Sequence, residues 1–102
     1  MTERSRAFRI EQFVDFLTFE RGLSDRTVHA YHRDLRGLVE FLEERDVDAP
    51  GSVDAGDLRE YVFHLKDRGL APSTIRRAQS AIRTYFSFLL GEGAVERDPS
   101  ER

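Results

Sequence analysis

Fifteen of the sixteen basic side chains in this 102-residue chain are arginines, and they are grouped rather than scattered. From Glu40 to Glu60 eight acids accompany only Arg45 and Arg59. From Tyr61 to Gly91 five bases meet the single acid Asp67, and the stretch from Arg68 to Gly91 has none. The formal net charge of −3 would disfavour a polyanionic partner if it were evenly spread, so the distribution matters more than the sum. A guanidinium offers a planar fork of donors suited to phosphate oxygens and guanine edges, and small neighbours let a helix backbone approach a groove.

The apolar spacing puts both arginine runs on helices, and 100° per residue sorts their faces. Opposite the apolar stripe of the second predicted helix lie Arg26, Ala30, Arg33 and Gly37, flanked by Thr27, Asp34 and Arg36. The corresponding line on the fourth helix is Ser73, Arg77, Ser80 and Thr84, flanked by Thr74, Arg76, Arg83 and Ser87. Free backbone N–H groups and the dipole at Ser24 to Thr27 and at Pro72 to Thr74 can hold a phosphate. The candidate DNA-binding set is therefore Ser24, Arg26, Thr27, Arg33, Ser73, Thr74, Arg76, Arg77, Ser80, Arg83 and Thr84. The plainer reading of Ser24 is a helix cap, and of the arginines a solvated face.

Other reactive side chains form no constellation. Tyr31, Tyr61 and Tyr85 fall on apolar stripes, which makes them packed phenols rather than nucleophiles. His29 and His32 are three apart on one helix but lack a carboxylate to complete a metal set, so neither a metal nor a cofactor is expected. The string His32-Arg33-Asp34-Leu35 has the look of a kinase catalytic loop, yet Val39 stands where that loop needs asparagine. There is no cysteine, no long apolar run and no hydrophobic signal core near Met1, which leads us to expect a soluble, cytoplasmic protein with no membrane partner.

Four amphipathic segments carry these residues, and none alternates like a strand. The first runs from about Phe8 to Arg21, with Ile10, Phe13, Val14 and Leu17 inward and Gly22 as its stop. The second runs from Ser24 to about Arg45, burying Val28, Tyr31, Leu35, Leu38, Val39 and Leu42. After a loop holding Pro50 and Gly51, Asp54 caps a third helix with Leu58, Tyr61, Val62 and Leu65 inward, ending at Gly69. The fourth starts with Pro72 in its first turn, buries Ile75, Ala78, Ile82, Tyr85, Phe86 and Leu89, and closes at Gly91 and Gly93. The segment from Arg21 to Val28 is echoed forty-seven residues later from Arg68 to Ile75, and the apolar positions downstream keep that offset. The echo implies an all-α fold of two equivalent helical hairpins, too few units for a solenoid.

The ordered set resembles the SAM-like core-binding domain of Xer-type tyrosine recombinases, in the phage-integrase family, from about Phe8 to Pro99. It is carried by Phe13-Val14-Asp15-Phe16-Leu17, Glu20-Arg21-Gly22-Leu23-Ser24, Thr27, Tyr31, Asp34-Leu35 and Phe41-Leu42. The second half adds Ser73-Thr74-Ile75, Arg77, Ser80-Ala81-Ile82-Arg83, Tyr85-Phe86, Phe88-Leu89 and Asp98-Pro99. Ala71 departs from the family's usual capping Ser or Thr, and Asp98 from its Asn.

The resemblance implies a four-helix SAM-like orthogonal bundle, residues 1–93, that clamps one face of a recombination half-site in duplex DNA. Residues 94–102 would then open the linker to a catalytic domain, where a tyrosine forms the phosphotyrosyl intermediate; none of that machinery is expected within this chain. It further implies a prokaryotic, nucleoid-associated protein whose protomers join in a tetrameric synaptic complex, although this domain alone would be monomeric. Phe16, Phe19 and Phe63 are candidates for contacts between protomers or for core. Chromosome-dimer resolution leads mobile-element integration as the role, and the rival from another class is a helical protein-interaction module with an acidic groove and no DNA binding.

Overall fold

The computed structural model describes residues 3–101, apart from the side chain of Arg4; Met1, Thr2 and Arg102, which the domain and linker boundaries include, lie outside the described residues. Among the described residues every regular element is helical. In chain order these are α1 (Glu3–Ala7), α2 (Ile10–Asp15) running into a π-helical turn (Phe16–Glu20), α3 (Asp25–Glu44), a 3₁₀ turn (Pro50–Ser52), α4 (Ala55–Asp67) and α5 (Pro72–Gly91).

The expected first helix starts at Ile10, two residues later than its spacing indicated, and a break separates it from the short α1, which was not expected. Phe8 and Arg9 form a turn, with Arg9 in the left-handed region at φ 55°, and α2 begins only at Ile10. The break is held from the far end of the chain: Tyr85 Oη donates a 2.6 Å hydrogen bond to the Phe8 carbonyl, and the Phe8 ring is fully buried. Burial pushes the Tyr85 phenol far up, so it remains a donor. At the other end of α2, Thr18 Oγ1 donates to the Val14 carbonyl and Arg21 N reaches back five residues to Phe16 O. The ladder widens there as a second donor competes for an i−4 carbonyl.

Helices α3 and α5 are both twenty residues long, and their limits differ by the offset of the sequence echo at each end. They also stop alike. Val47 N bonds Leu42 O and Asp46 N bonds Glu43 O after α3; Ala94 N bonds Leu89 O and Gly93 N bonds Leu90 O after α5. Both are Schellman turns, whose left-handed position is taken by Asp46 at φ 61° and by Gly93 at φ 73°. The starts are less alike. Ser24 accepts from Thr27 N as an N-cap, whereas Ala71 at the same position has no side chain to offer. Asp54 caps α4, as its sequence suggested, and Asp57 completes a reciprocal capping box with it.

The two hairpins, α2 with α3 and α4 with α5, join chiefly along α3 and α5. Between them sits one core in which Phe13 meets Tyr85 edge-on at 5.3 Å and Phe88 at 5.8 Å. Phe16 covers that cluster, 4.9 Å from Phe88, while Phe19 is 80 % exposed and Phe63 63 % exposed. The packed chain continues past Gly93, because Val95 is buried in the same core and Asp98 Oδ1 accepts from both the backbone N and the hydroxyl of Ser100.

Candidate nucleic-acid interface

Burial on α5 fixes which way its candidate residues turn. Ala81 and Phe88 are buried along with the expected stripe, so the buried sector is wider than the large apolar residues alone define. The outward line accordingly passes through Arg76, Arg83 and Ser87 with Ser73, all exposed. Arg77, Ser80 and Thr84, expected on that line, are only half-exposed.

Arg77 points to α3. Its Nε and Nη2 donate to Asp34 Oδ2 and Oδ1 at 2.9 and 2.8 Å, a two-point ion pair across 43 residues of sequence. The hydrogen bonding to Asp34 pushes the guanidinium pKa up, partial burial opposes it, and the attraction of the carboxylate adds to the rise, so Arg77 stays charged. One turn further along α5, Ser80 Oγ and Tyr31 Oη lie 3.0 Å apart in a hydrogen bond. Asp34 was expected to flank an exposed basic face; instead it is buried, and it is the only charged side chain in the core of the described residues.

Gly37 also has a different role from the one its sequence suggested. A Cβ there would stand 2.7 Å from Tyr61 Oη, so the missing side chain admits a phenol from α4 rather than a DNA backbone. That phenol is pushed up to about 12, first by burial and then by the nearby Asp34 and Glu40 charges, with Arg68 opposing.

On α3 the exposed line runs Arg26, His29, Arg33 and Arg36 and then turns acidic at Glu40, Glu43 and Glu44. Only its amino-terminal three turns are therefore basic. His32, half-buried beside this line, has its pKa pushed down by burial, then by Arg36 and His29. At the helix start Ser24 Oγ donates to Thr27 Oγ1 at 3.1 Å while accepting from Thr27 N, so these two candidates are joined to each other in the cap. Thr74 on α5 has no such partner in Ala71.

The candidate set thus divides. The structure brings Arg77 and Ser80 against α3 and pairs Ser24 with Thr27, while Arg26, Arg33, Arg76 and Arg83 stand exposed without an ion pair among the described residues. Sequence reasoning overlooked Asp34 and Tyr31 as partners of that set. A signal was present, since Tyr31, Asp34 and Leu38 recur at three- and four-residue spacing along the edge of the apolar stripe.

Residues 10–93 match the family described as phage integrase, N-terminal SAM-like domain, and the chain belongs to that family. It is 38 % identical over 91 % of its length to a tyrosine recombinase XerC of Herpetosiphon aurantiacus, covering 30 % of that protein. It is 37 % identical to a tyrosine recombinase XerD of Oceanobacillus iheyensis, over 91 % of this chain and 32 % of that one. With a XerD of Rhizobium meliloti the identity is 36 % over 98 % of this chain and 32 % of the relative. The chain thus spans about a third of the length of these relatives.

Proposed function

We propose that this chain is the DNA-clasping N-terminal domain of a site-specific tyrosine recombinase, gripping one face of a recombination half-site through α3 and α5. The observation that carries the proposal is α5 itself, a twenty-residue helix with no acid and with Arg76 and Arg83 exposed among Ser and Thr. Arg26 and Arg33 extend the grip along the first turns of α3, and the backbone N–H groups near Ser24, Thr27, Ser73 and Thr74 hold phosphates. Ser80 and Thr84 lie at the edge of this surface, and Arg77 reaches it from its seat on Asp34. The acidic end of α3 turns the duplex away from the loop side.

On this reading residues 1–93 bind DNA and residues 94–102 lead toward a catalytic domain that forms the phosphotyrosyl intermediate. The chain contributes grip and orientation, its protomers meet in a tetramer on two sites, and the setting is the bacterial nucleoid, with chromosome-dimer resolution as the role. The test is a mobility shift on duplex DNA over a salt series. Binding should weaken with a log–log slope near −0.9 per phosphate contacted, and Arg76→Ala and Arg83→Ala should each reduce the slope by about one contact. Absence of binding at low salt, or an unchanged slope in the double variant, would refute the assignment and favour the protein-interaction rival.

A further inference from the structure

We infer that Asp34 is a positioning residue for DNA binding: it grips one edge of the Arg77 guanidinium so that the other edge is presented to a phosphate. The inference rests on the DNA-clasping reading above and adds a residue to it that carries the wrong charge for a direct contact.

The geometry is one-sided. Asp34 takes Nε and Nη2, the inner edge of the guanidinium, and both bonds are short and well formed. Its own side chain is 8 % exposed, whereas that of Arg77 is 36 % exposed, so the carboxylate sits inside and the guanidinium outside. The Nη1 hydrogens and one Nη2 hydrogen remain on the outer edge, in the fork arrangement that matches two phosphate oxygens. Tyr31 and Ser80 close the seam one turn away, which further limits how far the arginine can swing. Neighbouring Arg76 and Arg33 are exposed, so this outer edge belongs to a surface that is already cationic.

An unanchored surface arginine must give up rotamer freedom when it binds, and the anchor removes most of that cost beforehand. The carboxylate also cancels a charge that would draw DNA from a distance. The two effects have opposite signs, and this makes the inference testable. If Asp34 were only a structural acid near the interface, Asp34→Asn would remove a negative charge and tighten DNA binding. If it positions Arg77, the same substitution weakens binding about tenfold, the size of one charge-assisted hydrogen bond to phosphate.

The experiment measures duplex DNA affinity over a salt series for the wild type, Asp34→Asn, Arg77→Ala and the double variant, with circular dichroism to confirm folding. Asp34→Asn should weaken binding in the wild-type background and should not weaken it where Arg77 is already alanine. Arg77→Lys keeps the charge and a bond to Asp34 but lacks the planar guanidinium that offers one forked edge to the carboxylate and another to a phosphate, so it guards against a misfolded Asp34 variant. It should lose affinity comparably. Tighter binding by folded Asp34→Asn, or unchanged binding by Arg77→Lys, overturns the inference while leaving the DNA-clasping reading intact; a wild type that does not bind DNA sinks that reading instead.

Discussion

Helices α3 and α5 are the same length, start at equivalent residues and end in the same turn, yet they carry different burdens. α5 gives most of its non-buried positions to arginine, serine and threonine and has no acid. α3 places Asp34 at the position equivalent to Ala81, Gly37 at that of Thr84, and a run of glutamates at its end. The repeated backbone therefore supplies two scaffolds. Both bear exposed cations, Arg26, Arg33 and Arg36 on α3 and Arg76 and Arg83 on α5, but α3 also receives partners from α4 and α5 at Gly37, Asp34 and Tyr31. The repeated spacing sets the frame, and the differences at a few facing positions determine how the frame is used.

The comparison is sharpest where the two helices are buried equally. Leu42 and Leu89 are equivalent and both fully buried, so Leu42→Ala and Leu89→Ala should each cost about 2–5 kcal/mol in urea denaturation. A loss confined to one of them would break the equivalence. Gly37 and Thr84 should then behave differently. Gly37→Ala drives a methyl into Tyr61 Oη, an overpacking loss of about 1–3 kcal/mol set against roughly 1 kcal/mol of helix propensity, and adding Tyr61→Phe should recover most of it. Thr84→Ala should change stability by less than about 0.5 kcal/mol.

The helix starts give a smaller effect of opposite signs. Ser24→Ala removes the cap of α3 and should cost about 1 kcal/mol, whereas Ala71→Ser supplies the cap α5 lacks and should raise the melting temperature. The smallest effect is at His32, equivalent to Gln79. Because its pKa is lowered in the folded chain, the unfolded chain binds the extra proton first, and stability falls as pH drops below 6.5. His32→Gln should flatten that part of the acid limb, measured by denaturant titrations between pH 7 and 5.

The four helices of the two hairpins, the caps at Ser24 and Asp54, the stops at Gly69 and Gly93, and the equivalence of the hairpins were legible, because each rests on local spacing or on a residue with one conformational use; the short α1 before them was not. What was not legible depended on distance along the chain. Arg9 carries no mark of a left-handed residue; its conformation follows from a phenol seventy-six residues away, hydrogen-bonded to the carbonyl before it. Asp34 looked like a flanking surface acid because its partner, Arg77, is on another helix. The outward face of α5 was misjudged by part of a turn because Ala81 and Phe88 were not counted with the apolar stripe. Of the candidate site, the exposed Arg26, Arg33, Arg76 and Arg83 were recognisable in type and place, and the anchoring seam beneath them was not.

The hydrogen bond from Tyr85 to the Phe8 carbonyl bears on how small a fragment can stand alone. The matched family region begins at residue 10, so an expression fragment cut there discards a fully buried ring and strands a buried hydroxyl without its acceptor. Cutting at residue 93 likewise forfeits Val95. The smallest autonomous unit thus extends at least from Phe8 to Val95, and trimming to the matched limits should yield a looser, more protease-sensitive product.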